Sequence, residues 1–142
     1  MSPQIPLALR FPPDPQFAAF EGQAELRALV EAAARGERSD WLYLAGPTGS
    51  GKTHLQLAAC AEARRRGMSA SYLPLASMVG RMRDALVGQG GADLVCLDGL
   101  EAIAGDSEDE VALFHFHNSA RQGAARLIYS AVAMPSALPF AL

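Results

Sequence analysis

Residues 41–53 read WLYLAGPTGSGKT, an apolar run followed directly by a glycine-rich loop. In residues 46–53 a glycine, four further residues, a second glycine, a lysine and a threonine follow one another, which is the pattern of a phosphate-binding loop. Trp41–Ala45 has the apolar and aromatic composition of a buried central strand, so the loop lies where such a site requires it, between a strand and a helix. The sequence therefore predicts that ATP or ADP binds here.

The residue types of the loop each have a physical role in holding phosphates. Gly49 and Gly51 can adopt backbone conformations closed to other residues, and they let main-chain N–H groups approach the phosphates at a helix N-terminus. Lys52 would reach the terminal phosphates, and the hydroxyl of Thr53 would bind Mg²⁺. The predicted nucleotide-binding residues are Gly46, Pro47, Thr48, Gly49, Ser50, Gly51, Lys52, Thr53 and His54.

Asp98 ends a second apolar run, LVCLD at residues 94–98. Four apolar residues and one acid are typical of a buried parallel strand that carries a charge to the carboxyl edge of its sheet, where ligands of such folds bind. We predict that Asp98 holds Mg²⁺ through its water shell, opposite the hydroxyl of Thr53.

Two further residues are candidates for the chemistry. Many ATPases of this kind carry a glutamate directly after the strand aspartate, and this chain has Gly99 there, so we expect weak or no intrinsic hydrolysis. Glu101 is the candidate replacement, and a solvated surface acid is the alternative interpretation. Ser130 is a candidate sensor of the γ-phosphate, and a simple strand-end hydroxyl is its alternative.

Strand and helix patterns alternate along the rest of the chain. This alternation predicts an α/β fold of the P-loop NTPase type, with a parallel sheet covered by helices on both faces in three αβα layers. The predicted helices are Glu21–Arg35, Lys52–Arg66, Ser77–Val87 and Glu108–Gln122, and the predicted strands are Trp41–Ala45, Ser71–Leu75, Leu94–Leu97 and Arg126–Ala131.

The composition is that of one globular domain. The chain has 142 residues, half of them apolar, and a formal net charge of -3, which argues against coating nucleic acid by bulk charge, so we expect any DNA contact to be indirect. No apolar run is long enough for a membrane span and no signal peptide is evident, so we expect a cytoplasmic protein. Two cysteines without metal-ligand spacing predict reduced, buried thiols.

The first residues differ in character from the rest. Five prolines fall within residues 1–16, which opposes both helix and central strand and predicts an extended arm. Residues 17–142 would form the nucleotide-binding domain. Beyond residue 131 no further element is evident, and we expect the domain to be truncated at its C-terminus, without the helical lid that resembling proteins carry.

Three stretches carry a resemblance to a known family. GKTHL at residues 51–55, LVCLDGLEAIAGD at residues 94–106 and FAAF at residues 17–20 resemble the DnaA-related branch of the AAA+ ATPases, and within it the Hda family of regulators. The resemblance implies an AAA+ fold that binds ATP or ADP with Mg²⁺. It also implies a role in replication initiation, in which the protein promotes hydrolysis of DnaA-bound ATP.

The arm contains the most discriminating part of that resemblance. QIPLAL at residues 4–9 is similar to the peptide by which Hda-like proteins dock on the β sliding clamp. Apolar side chains of an extended peptide can enter pockets while a glutamine hydrogen-bonds at the rim, and prolines lower the entropy lost on binding. The predicted clamp contacts are Gln4, Ile5, Leu7 and Leu9. The alternative is an arm that packs on its own domain.

Other functions remain open at this point. A helicase loader or transposition-helper ATPase of the DnaA-related branch is the main alternative, since it would share the nucleotide site without needing the clamp peptide. A small-molecule kinase is weaker, because Arg64–Arg66 lie at a helix end where they favour the helix dipole more simply than they clamp phosphates. A homo-oligomer is also left open.

Overall fold

The computed structural model describes residues 23–37 and 41–133 of the chain. The predicted arm, with its clamp contacts at Gln4, Ile5, Leu7 and Leu9, lies outside the described residues, as do residues 134–142. Among the described helices, none is long and apolar enough to cross a membrane.

Four helices and four strands alternate along the described chain, as predicted. The helices are α1 (Gln23–Ala34), α2 (Lys52–Arg65), α3 (Met82–Val87) and α4 (Ser107–Arg121). The strands are β1 (Leu42–Ala45), β2 (Ala70–Pro74), β3 (Leu94–Asp98) and β4 (Arg126–Ala131). Two short 3₁₀ turns, Leu75–Ser77 and Leu100–Ala102, follow β2 and β3.

The start of α3 corrects the sequence prediction. We expected a helix from about Ser77, but the chain forms a 3₁₀ turn there and α3 begins only at Met82. Gly80 has a φ of 81°, which interrupts a right-handed helix. The carboxylate of Asp109 in α4 accepts hydrogen bonds from the N–H groups of Gly80, at 2.6 Å, and Met82, at 3.2 Å. A contact from a distant helix therefore sets where α3 starts.

The four strands form one parallel sheet in the order β1-β4-β3-β2. In the register of this sheet Ser130 of β4 lies between Leu44 of β1 and Asp98 of β3. Pro74 of β2 pairs with Asp98 on the other side. Because all strands are parallel, their carboxyl ends meet at one edge, which is also where the phosphate-binding loop begins.

Two hydrophobic clusters cover the two faces of the sheet. One joins alternate strand residues to α3 and α4, and it includes Tyr43, Leu97 and Tyr129. The other joins the intervening residues to α1 and α2, and it includes Leu44 and Ile128. Strands buried on both faces are apolar at nearly every position, which explains the apolar runs in the sequence. The predicted three-layer α/β fold is confirmed.

Gln56 connects α2 to the sheet by hydrogen bonds. Its side chain is fully buried, and its Nε2 donates to the carbonyl oxygens of Ile128, at 2.9 Å, and Leu97, at 3.3 Å. A buried amide that bonds to two neighbouring strands fixes the helix in rotation and in height. The helix that carries Lys52 and Thr53 is thereby held in register with the ends of β3 and β4.

Candidate nucleotide-binding site

The loop at residues 46–51 joins the end of β1 to the start of α2. The N–H of Gly46 donates to the carbonyl of Ala131 at 3.1 Å, which ties the start of the loop to the end of β4. Gly49 and Gly51 have φ values of 86° and 98°, in the left-handed region that only glycine adopts readily. A Cβ atom built on either glycine would meet no atom within 4 Å, so the loop borders open space. We call this open space the cradle, since the phosphates of a bound nucleotide would lie there.

The N-terminus of α2 presents backbone donors to this cradle. Gly51 stands at the cap position, and within the described chain no side chain caps the helix there. The N–H groups of a first helical turn have no partner inside the helix, and the helix dipole adds partial positive charge at the same place. The helix start therefore suits a phosphate group.

Lys52 brings the only ammonium side chain of the protein to the loop. Its side chain is buried, and its Nζ donates to the carbonyl oxygens of Gly46 and, at 2.9 Å, Pro47. Desolvation lowers the pKa of Lys52 below its ordinary value, while the negative charges of Glu101 and Asp98 act in the opposite direction. The loop thus holds a cation beside the open cradle.

Asp98 is the centre of a hydrogen-bond cluster at the sheet edge. Its Oδ2 accepts from the hydroxyl of Thr53 at 2.6 Å and from the hydroxyl of Tyr72. Its Oδ1 accepts from the hydroxyl of Ser130 at 2.6 Å. Side chains from α2, β2 and β4 therefore converge on one carboxylate of β3.

The cluster keeps the carboxylate ionised. Burial disfavours the charged form and by itself raises the pKa of Asp98, but the hydrogen bonds from Ser130, Thr53 and Tyr72 outweigh it, with help from the charge of Lys52. The net pKa of Asp98 is lowered from its ordinary value. Burial and the bond to Asp98 raise the pKa of Tyr72 to about 12, so this hydroxyl remains a donor at neutral pH.

These groups fit a magnesium ion held between protein and phosphates. Thr53 and Asp98 offer one hydroxyl and one carboxylate at hydrogen-bonding distance from each other. Mg²⁺ usually takes one or two protein oxygens and completes its shell with water and phosphate oxygens. Within residues 23–37 and 41–133 there is no group of three or more His, Cys, Asp or Glu that could hold a metal by itself.

Gly99 and Ser130 are bonded to each other beside Asp98. Gly99 has a φ of 90°, and its N–H lies 3.1 Å from the carbonyl oxygen and 3.0 Å from the hydroxyl oxygen of Ser130. Ser130 is fully buried, and its hydroxyl accepts from the N–H of Gly99 and donates to the carboxylate of Asp98. The structure thus brings Ser130 to the carboxylate of Asp98, and its role as a γ-phosphate sensor stays a prediction.

Glu101 and His54 lie at the rim. Glu101 is exposed, and its Oε1 accepts from the N–H of Val132 at 3.0 Å. Its charge still acts on Lys52, so it is near the loop, but its catalytic role stays a prediction. His54 is exposed on the first turn of α2 and lines a groove between α1 and α2.

Sequence reasoning missed Tyr72, which it treated only as part of a strand. In the sheet register Tyr72 pairs with Cys96, two residues before Asp98, so all three side chains lie on the same face. The side chain of a tyrosine is long enough for its hydroxyl to reach the next residue of β3 on that face, which is Asp98. The available signal was a polar-tipped aromatic residue near the carboxyl end of β2, and its meaning depended on a register that the sequence alone does not provide.

Residues 18–131 match a family model described as IstB-like ATP binding protein. Among solved structures, domain III of the replication initiation protein DnaA from Thermotoga maritima has a TM-score of 0.70 and 19% identity, covering 92% of this chain and 62% of that one. AMPPCP-bound DnaA from Aquifex aeolicus has a TM-score of 0.65 and 25% identity, covering 78% of this chain and 38% of that one.

A replication initiator DnaA bound to AMPPCP and single-stranded DNA is also similar, with a TM-score of 0.65 and 24% identity over 80% of this chain. This chain spans 39% of the length of that DnaA chain, so the likeness concerns one part of a larger protein. The structural likeness supports the fold, and the family match covers the phosphate loop, Asp98 and Ser130 together. The chain therefore belongs to the IstB-like ATP-binding protein family, as an AAA+ domain related to DnaA.

Proposed function

We propose that this domain is a magnesium-dependent adenine-nucleotide switch that regulates the initiation of DNA replication. The observation that carries the nucleotide part is the convergence of Lys52, Thr53 and Asp98 at one edge of the sheet, next to an open glycine loop. The charges of Lys52 and Asp98 and the hydroxyl of Thr53 come from two motifs that are distant in sequence, and they meet beside the cradle.

Each group has a defined task in this proposal. The backbone N–H groups at the start of α2 and the ammonium of Lys52 would hold the phosphates. Thr53 and Asp98 would hold Mg²⁺, and the ion would neutralise phosphate charge. The hydroxyls around Asp98 keep its carboxylate charged and oriented, so the metal site does not need to be assembled when the nucleotide arrives.

We further propose that turnover is slow and that binding itself is the signal. Gly99 occupies the place where related ATPases carry an acid, and its left-handed φ of 90° is costly for any residue with a side chain. Glu101 is the first acid after Gly99 in the sequence, and its carboxylate accepts a hydrogen bond from the N–H of Val132. A site that binds nucleotide and hydrolyses it slowly suits a protein whose bound nucleotide controls docking.

The nucleotide proposal is tested by thermal unfolding with and without ATP, ADP and Mg²⁺. The wild-type melting temperature should rise with nucleotide, since a ligand at a hundredfold excess over its Kd stabilises the folded state by about 2.7 kcal/mol. Lys52→Ala should remove this rise. Arg121→Ala, which removes an exposed positive charge from the far end of α4, is the matched control and should keep it. A wild-type melting temperature that ignores every nucleotide would refute the proposal.

The regulatory part rests on the arm. We propose that Gln4, Ile5, Leu7 and Leu9 dock on the β sliding clamp, and that the tethered domain promotes hydrolysis of ATP bound to DnaA. The support is the resemblance of residues 4–9 to clamp-binding peptides. Pull-down with purified clamp should be lost in the double variant Gln4→Ala, Leu7→Ala and kept in Ser2→Ala. Equal binding by both variants would contradict clamp docking through the arm.

A helicase loader or a transposition-helper ATPase is the second candidate. The match to the IstB-like family and the likeness to DnaA are equally consistent with it. Such a protein would bind nucleotide as proposed but would have no need of the clamp. A wild-type chain that binds ATP and ignores the clamp would therefore favour this candidate over the regulator.

A further inference from the structure

Tyr72 is the one side chain of the Asp98 cluster that the sequence did not predict as a site residue. It extends from β2, and its hydroxyl donates to Oδ2 of Asp98. Its ring is packed against the hydrophobic cluster between the sheet and α2, while its hydroxyl end reaches the carboxyl edge. A phenylalanine would fill the same volume, so packing alone does not account for the hydroxyl.

The two oxygens of Asp98 are held differently. Oδ1 has one donor, Ser130, whereas Oδ2 has two, Thr53 and Tyr72. A metal ion would bind a lone pair of the Thr53 hydroxyl oxygen, so the position of Thr53 would depend on the ion as well as on Asp98. Tyr72 is the donor to Oδ2 that would take no part in binding the ion, and Ser130 is the donor that holds Oδ1.

We propose that Tyr72 is a positioning residue for the metal-binding carboxylate, which holds Oδ2 of Asp98 in the orientation it has beside Thr53. The inference rests on the proposed magnesium and nucleotide function of the site. Tyr72 acts through Asp98, and it is not assigned a contact with the nucleotide. Residues that orient a metal ligand from behind commonly change metal affinity by about 10–100-fold when they are removed.

The charges around Asp98 support this role. The groups acting on it from the surrounding elements are Lys52 on α2, Tyr72 on β2 and Cys96 on its own strand, with Glu101 near Lys52. Of these, Lys52 and Tyr72 favour the charged carboxylate, and burial opposes it. Loss of the Tyr72 hydroxyl should therefore leave Oδ2 of Asp98 with one hydrogen-bond donor fewer and its carboxylate less firmly oriented.

The test compares wild type with Tyr72→Phe in the binding of a fluorescent ADP analogue, in Mg²⁺ and in EDTA. The Kd in EDTA divided by the Kd in Mg²⁺ measures how much the metal strengthens binding. In Tyr72→Phe this ratio should fall by about tenfold, while the Kd in EDTA stays within twofold of wild type.

Tyr43→Phe is the matched control. It removes another tyrosine hydroxyl from the sheet, one that donates to the carbonyl of Ala133 at 2.7 Å and does not touch Asp98. Its ratio of the Kd in EDTA to the Kd in Mg²⁺ should equal that of wild type. If Tyr72→Phe fails to fold, Tyr72→Gln and Tyr72→Met are compared with each other instead. Their side chains are similar in length, but only glutamine has a hydrogen-bond donor, so the Gln variant should have the larger ratio.

The outcomes separate the two proposals. A wild-type protein whose nucleotide affinity does not depend on Mg²⁺ would overturn the proposed function. A wild type that depends on Mg²⁺, together with a Tyr72→Phe variant that has the same ratio, would overturn the positioning role alone. An equal loss in Tyr43→Phe would also overturn it, because the effect would then follow from removing any hydroxyl of the sheet.

Discussion

Lys52 is the only lysine of the chain, and its ammonium lies among the carbonyl oxygens of the phosphate loop. An amine-reactive acylating reagent can therefore modify only Lys52 and the amino terminus of the protein. We expect Lys52 to react slowly, because its side chain is buried. Mg²⁺ and ATP should lower its rate further, by about tenfold at a nucleotide concentration ten times its Kd. Mass spectrometry of peptides measures both rates in one sample, and the amino terminus is the internal control. Equal rates with and without nucleotide would contradict binding at the loop.

Gly99 gives a second prediction at the scale of the residue. Its φ of 90° lies in the region where a residue with a Cβ is strained by about 1–2 kcal/mol. Gly99→Ala should lower the melting temperature by roughly 2–8 °C, the shift that about 1 kcal/mol causes in domains of this size range. Gly88→Ala is the control, because Gly88 has a φ of -88° and open space around its Cα. Equal melting temperatures for the two variants would contradict the strain argument.

At the scale of the element, α3 depends on α4. A helix of six residues is too short to be stable alone, and the buried carboxylate of Asp109 holds its first N–H groups. Asp109→Ala should cost about 1–3 kcal/mol and raise hydrogen exchange in residues 78–87. Glu108→Ala removes the exposed neighbouring acid and should change neither quantity by a comparable amount. Unchanged exchange in Asp109→Ala would show that α3 is held by packing alone.

The elements also show what the sequence could and could not predict. The strands were predictable because parallel strands buried on both faces are apolar at nearly every position, and the loop was predictable because its chemistry lies within eight consecutive residues. The start of α3 was not, since it is set by Asp109, which is 27 residues beyond Met82 in sequence. Tyr72 was missed for the same reason, because only the pairing of β2 with β3 brings it to Asp98.

At the scale of the whole molecule, the parallel sheet collects donors from three elements around one carboxylate, and this links the stability of the fold to pH. The pKa of Asp98 is lowered in the folded protein from its ordinary value of 3.8. A carboxyl group of this kind stabilises the fold above its unfolded pKa, and the contribution disappears as the pH falls through its folded pKa. The acid limb of stability, below about pH 4, should therefore contain a contribution from Asp98.

Asp98→Asn tests this linkage. Asparagine replaces one acceptor oxygen with a donor, so one of the hydroxyls from Thr53, Tyr72 and Ser130 would face another donor. The variant should be less stable than wild type in urea at pH 6. The difference should narrow as the pH is lowered to 2.5, because the wild type loses the contribution of its charged carboxylate as the pH falls toward its folded-state pKa. Glu31→Gln, which neutralises an exposed carboxylate on α1, is the control, and its difference from wild type should stay nearly constant. A gap for Asp98→Asn that is the same at both pH values would mean that the three hydroxyls hold the side chain by its shape and that its charge contributes nothing to the fold.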